Sequence, residues 1–120
     1  MGQYQMGAVE SRFADLIWER EPVTAAELAK EAEGLFGWKK TTTYTVLKRL
    51  CDKGIFRNEK GTVSSVITRG EFETRQSEQF VEENFRGSLP AFLAAFTAGK
   101  KLTREEVESL RRMVAEYKEK

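Results

Sequence analysis

The chain of 120 residues is long enough for one domain, or one small domain with an appendage, and a chain this short buries roughly two thirds of its unfolded surface. Its 40% hydrophobic and 32% charged residues are an ordinary globular composition, with no apolar run near the roughly 18 residues of a membrane span and no secretory leader. The single cysteine, Cys51, excludes an intrachain disulfide and fits a reducing compartment, and the absence of histidine removes Ser-His-Asp and Cys-His catalysis and His-ligated zinc.

The net charge of +1 hides an uneven distribution. Residues 1–37 carry −4 and residues 70–120 carry −1, whereas residues 38–69 carry +6. That middle segment gathers Lys39, Lys40, Lys48, Arg49, Lys53, Arg57, Lys60 and Arg69 against Asp52 and Glu59. Positive charge concentrated in this way makes a local anion-binding surface, unless it is only a solvated face.

Residues 1–7 show no periodicity and are expected to form a flexible leader. Val9, Phe13, Leu16 and Ile17 then fall at helical spacing with Trp18 beside them, which predicts a first helix over about Glu10–Arg20, closed by Glu21-Pro22. Thr24-Ala-Ala-Glu27 is a capping box flanked by the staple pair Val23 and Leu28. It opens a second helix through Leu28, Ala29 and Ala32 that stops at Gly34. Thr41-Thr42-Thr43 opens a third helix that runs through Val46, Leu47, Leu50 and Cys51 to Gly54. Its apolar stripe is narrow, and its other face reads Thr42, Thr45, Lys48, Arg49, Asp52.

Ile55–Asn58 and Thr62–Thr68 are β-prone runs joined by Glu59-Lys60-Gly61, a hairpin pattern. After Gly70 the pattern is helical again. Glu71–Phe85 carries Phe72, Phe80, Val81 and Phe85. A further helix begins at Ser88-Leu89-Pro90, with proline in the first turn where its missing N–H is harmless, and ends near Gly99. Thr103-Arg-Glu-Glu106 is a second capping box, and it leads a last helix with Val107, Leu110, Val114 and Tyr117 on one stripe. Three amphipathic helices with a wide apolar face and no further layer cannot bury that face alone, so a second copy of the chain is the simplest cover.

Two tandem helices, a third with a basic polar face and a basic hairpin directly after it describe a winged helix-turn-helix, in which the third helix enters the major groove and the hairpin lies along the backbone. Thr41, Thr42, Tyr44 and Thr45 supply donors, acceptors and methyl groups for base edges. Lys39, Lys40, Lys48 and Arg49 would bracket them with phosphate contacts, joined by Arg57 and Lys60 on the wing. The alternative is a winged-helix protein-interaction module without DNA binding, whose polar helix face takes an acidic partner. Cys51 reads as a small buried hydrophobe, and Trp18 and Trp38 read as core anchors. No nucleophile–base pair, phosphate loop or metal-ligand spacing is visible, so neither enzyme activity, cofactor nor metal is expected.

The segment Trp38-Lys-Lys-Thr-Thr-Thr-Tyr-Thr-Val-Leu-Lys-Arg-Leu-Cys-Asp-Lys-Gly54 resembles the recognition-helix signature of the BlaI/MecI/CopY, or penicillinase repressor, family of winged-helix regulators. Ala-Asp-Leu-Ile-Trp18-Glu and Ser88-Leu-Pro-Ala-Phe-Leu-Ala-Ala-Phe96 fit the same family, and the likeness covers roughly Val9 to Tyr117. The resemblance implies a cytoplasmic bacterial homodimer that represses genes of the antibiotic-resistance type from a palindromic double-stranded DNA operator. By position in the motif, Thr42, Tyr44, Thr45 and Arg49 would be operator contacts, although the best-known members often carry a basic residue where Tyr44 stands. Copper-responsive members carry paired Cys-x-Cys motifs that this chain lacks, which argues against copper sensing. Penicillinase repressors are released when a protease linked to a membrane sensor cuts an Asn-Phe bond. The aligned bond here is Ala95-Phe96, in a helix whose Phe96 is expected to pack in the core.

The expected organisation is therefore mainly α: a flexible leader at 1–7, a winged-helix DNA-binding domain at 8–69, and a helical dimerisation domain at 70–120. In that last domain Phe80, Phe85, Leu89, Phe92, Phe96, Val107, Leu110 and Val114 would form the interface.

Overall fold

Three short helices lead the chain: α1 (Ala8–Arg20), α2 (Ala25–Phe36) and α3 (Lys40–Asp52). Between the first two lies a two-residue strand, β1 (Val23–Thr24), and after α3 come β2 (Phe56–Glu59) and β3 (Thr62–Ser65). Helices α4 (Arg69–Phe85), α5 (Leu89–Gly99) and α6 (Arg104–Glu116) complete the chain. The computed structural model describes residues 4–119. The mainly helical winged-helix architecture expected from the sequence is the one observed.

The chain divides into two compact units, one reaching Phe80 and the other beginning at Val81. The core of the first is built from one face of each helix. Phe13, Ala14, Leu16 and Ile17 of α1 meet Ala25, Leu28 and Ala32 of α2 and Val46, Leu47 and Leu50 of α3, all buried along one face of each helix. Ile55, Phe56, Val63, Ile67 and Phe72 close it. Fully burying a side chain of this size contributes about 1.5–3 kcal/mol, so these few residues dominate the unit's stability. Trp18 and Trp38 anchor it as expected. Trp18 packs on Phe56 and Phe72 while its indole N–H donates to the Ile67 carbonyl at 3.1 Å, and Trp38 lies between Phe13 and Phe36. Val9, expected on the apolar stripe of the first helix, is 44% exposed.

Several boundaries differ from the sequence expectation. Helix α1 starts two residues earlier, at Ala8. Helix α2 passes through Gly34 and ends at Phe36, because Gly37 takes the left-handed conformation (φ 69°) that terminates a helix and donates to the Ala32 and Glu33 carbonyls. Val23, expected as a staple, instead pairs with Val63 as Thr24 pairs with Thr62, so the wing is a three-stranded antiparallel sheet in the order β1-β3-β2. The wing turn places Lys60 (φ 52°) and Gly61 (φ 91°) in the left-handed region, as a two-residue hairpin with right-twisted strands requires.

The leader carries contacts from Tyr4 onward, and Met1–Gln3 lie outside the described residues. Tyr4 meets Phe72 edge-on at 5.8 Å between ring centroids, and its backbone N–H donates to Gln79 Oε1 at 3.1 Å. Phe72 is 5% exposed, so the first unit extends past Arg69 into α4. That helix begins at Arg69 because Thr68 and Glu71 form a reciprocal cap, Glu71 N–H to Thr68 Oγ1 at 3.0 Å and Thr68 N–H to Glu71 Oε1 at 3.2 Å.

In the second unit, α6 has the expected capping box, Thr103 with Glu106, and Ser88 caps α5 through the Ala91 amide. The Glu106 carboxyl is held below its ordinary range chiefly by the Thr103 backbone amide, then by the Thr103 hydroxyl. Phe92 stacks edge-on with Phe85 at 5.4 Å and meets Phe96 at 6.1 Å. No residue of α5 or α6 is buried. Leu89, Phe96, Met113, Val114 and Tyr117 are all exposed, and Phe92, Leu93, Phe96, Leu102 and Leu110 line an open groove of about 510 Å³.

Candidate nucleic-acid interface

The basic segment folds into α3 and the wing. With Thr43, Val46, Leu47 and Leu50 committed to the core, helical geometry turns Thr41, Thr42, Thr45, Lys48 and Arg49 outward, and all five are exposed. The helix starts at Lys40, with Lys39 at the N-cap and no side-chain cap. The three threonines expected to open and cap it are thus helical residues instead, Thr43 in the core and Thr41 and Thr42 on the exposed face. The uncapped first turn also presents backbone amides that suit a phosphate. The Thr45 hydroxyl donates to the Thr41 carbonyl at 2.9 Å, which leaves its oxygen lone pairs and methyl group for a base edge. Tyr44 is half-buried against the core, and the Lys40 ammonium lies 5.7 Å from its ring centroid.

The basic side chains sort into two groups. Lys39, Lys40 and Lys60 are exposed and form no ion pair among the described residues. Lys60 stands at the wing tip, where Asn58 Oδ1 accepts from the Gly61 amide at 2.9 Å and the Gly61 carbonyl accepts from Ala25 at the start of α2 at 2.8 Å. The others are engaged: Lys48 with Asp52 at 3.1 Å, Arg57 with Glu59 at 3.4 Å, Arg69 with Asp15 at 3.2 Å and Arg49 with Glu10 of α1 at 2.9 Å. The Glu10 carboxylate also meets Lys53 at 3.4 Å. Sequence reasoning missed Glu10, whose partners lie about forty residues away and share no local spacing with it. The only available signal was that the acidic first segment faces a basic one.

Cys51 lies half-buried beside this surface, and its thiol is pushed up from the ordinary range by burial, then by the Asp52 carboxylate, against a smaller opposing effect of Lys48. Among the described residues no group of His, Cys, Asp or Glu is arranged to hold a metal ion. The residues expected at a dimer interface are distributed over both units. Phe80 belongs to the first, at 49% exposure. Phe85, Leu89, Phe92, Phe96, Val107, Leu110 and Val114 belong to the second. Within a single copy Phe96 is 42% exposed, not packed in a core. The Ala95–Phe96 bond lies inside α5.

A family model described as penicillinase repressor matches residues 6–116. Among curated proteins, the penicillinase repressor of Bacillus licheniformis is 25% identical over 118 residues, spanning 95% of this chain and 92% of that protein. The methicillin resistance regulatory protein MecI of Staphylococcus aureus is 22% identical over 115 residues, with 92% and 94% covered. The penicillinase repressor of Staphylococcus aureus is 22% identical over 122 residues, with 98% and 97% covered. The match runs from the residues before α1 through α6, taking in the exposed face of α3, the wing and the apolar C-terminal helices alike: the chain belongs to the penicillinase repressor family.

Proposed function

We propose that this protein is a DNA-binding transcriptional repressor that acts in the cytoplasm as a homodimer on a palindromic operator of antibiotic-resistance type genes. The observation that carries the reading is the exposed face of α3, where Thr42 and Thr45 stand between Lys39 and Lys40 on one side and Lys48 and Arg49 on the other. Hydroxyls and methyl groups suit base edges, and flanking cations suit phosphates, which position the helix without specifying sequence. The wing-tip Lys60 would reach the backbone alongside. The names of the relatives, repressors and a resistance regulator, support the same function.

Dimerisation rests on the C-terminal unit, whose helices α5 and α6 have no fully buried residue in one copy and expose Leu89, Phe96, Val114 and Tyr117. A twin subunit that covers this face would fix two α3 helices one or two turns of duplex apart, which demands an inverted repeat. No helix among the described residues is long and apolar enough to cross a membrane. Were release proteolytic, through a protease linked to a membrane sensor, the aligned Ala95–Phe96 bond inside α5 would be the bond to cut. Selection from a pool of random duplexes tests the function. Enrichment of an inverted repeat supports the reading, and recovery of no preferred sequence overturns it.

A further inference from the structure

Glu10 is the acidic residue of α1 that reaches the reading helix. Its carboxylate is only 13% exposed and meets two cations of α3 and its C-cap, Arg49 at 2.9 Å and Lys53 at 3.4 Å. Lys53 is held further by the Gln5 carbonyl at 3.0 Å. Arg49 remains 53% exposed, so it stands on the DNA-facing side with its charge already answered. The pairs Lys48–Asp52 and Arg57–Glu59 differ from it, because both their partners lie more than half in water, where a pair is loose and easily exchanged. On α3, the Glu10 pairing is the one a phosphate would have to compete with.

We infer that Glu10 sets the repressor's discrimination between operator and random DNA, by keeping Arg49 and Lys53 from binding phosphates indiscriminately. The inference rests on the DNA-binding reading of α3. Non-specific binding is almost wholly phosphate neutralisation. When a phosphate draws Arg49 away, the Glu10 carboxylate must regain its own water and counterion, which offsets the ions released from the duplex. At a correctly read site the contacts of Thr42 and Thr45 outweigh that loss, and at a random site nothing does. Glu10 is accordingly a positioning residue: it touches no DNA and acts through the cations it holds.

The test compares the full-length protein with its Glu10→Gln variant, by fluorescence anisotropy on a random-sequence duplex and on a selected operator across a salt series. One further cation available per protomer, two per dimer, should tighten random-duplex binding about thirtyfold at 0.15 M salt and steepen the logarithmic salt slope by about 1.8. Operator affinity should change less, so the specificity ratio falls. In an Arg49→Gln, Lys53→Gln background the Glu10→Gln effect should vanish. Glu31→Gln, which removes the same charge from a pair with Arg20 at 3.0 Å, should raise random-duplex affinity by less. Should Glu10→Gln fail to fold, single variants decide: Arg49→Gln should weaken random binding less than Lys40→Gln does. Random-duplex affinity unchanged or lowered by Glu10→Gln, an equal gain from Glu31→Gln, or Arg49→Gln costing as much as Lys40→Gln would each overturn the inference. Absence of DNA binding by the unaltered protein would instead overturn the function itself.

Discussion

Replacing Thr43 with valine is expected to stabilise the protein while leaving DNA binding intact. Thr43 is fully buried on the inner face of α3, and its hydroxyl oxygen has no hydrogen-bond partner among the described residues. A buried hydroxyl without a partner costs about 1–3 kcal/mol of desolvation. Valine has nearly the same shape and a similar helix propensity, so T43V should recover that amount without opening a cavity. For a unit of this size each kcal/mol raises the melting temperature by about 4–8 °C. Urea and thermal denaturation followed by circular dichroism would measure the gain, and the mobility-shift midpoint on a selected operator should not move. The β-branched methyl groups keep their packing, and the polar face of the helix is untouched. A loss of 1 kcal/mol or more in T43V would refute the reasoning, since it would mean that the hydroxyl makes a bond whose removal costs stability.

Other outcomes follow from the same contacts. A fragment ending at Phe80 should fold as a monomer by light scattering and bind operator poorly, whereas one ending at Gly70 loses the buried Phe72 and should be about 3–5 kcal/mol less stable; a dimeric fragment would contradict the division of labour. Lys40→Ala or Lys60→Ala should weaken binding to all duplexes alike, while Thr45→Ala should change which operator is preferred by about 1–3 kcal/mol at the base pair read. Because burial and Asp52 raise the Cys51 thiol, its alkylation near neutral pH should be slower than that of a free thiol, and Asp52→Asn should speed it. A rate equal to that of the free thiol would count against this packing.

What was legible in the sequence was what local chemistry dictates. The capping box Thr103–Glu106, the Lys60-Gly61 turn and the 3.6-residue stripe of α3 each follow from residues within one turn of one another, and so does the division of α3 into a buried and an exposed face. The strand β1 was hidden because two residues carry no periodicity, and its partner β3 lies about forty residues on. The Thr68–Glu71 cap has the ordinary spacing, but Arg69-Gly70 between them reads as a break, so the start of α4 was placed too late and Phe72 was assigned to the dimerisation half. The Glu10–Arg49 pair was beyond reach for a related reason: side chains on separate helices meet only once the core has set their crossing, and no local spacing encodes that.

The central claim, that the outward side of α3 lies against duplex DNA in a protein with two such helices, is tested most directly by the salt dependence of operator binding. Lys39, Lys40 and Lys60 of two protomers offer cations that no carboxylate of the described residues holds. At about 0.9 counterions released per phosphate neutralised, they set a slope of log K against log salt of about −5, and exchange of the exposed pairs makes it steeper. A slope of −5 or steeper, with Thr42 and Thr45 protected at saturation, is the predicted result. A slope near zero, or binding that survives removal of all three lysines unchanged, would contradict it.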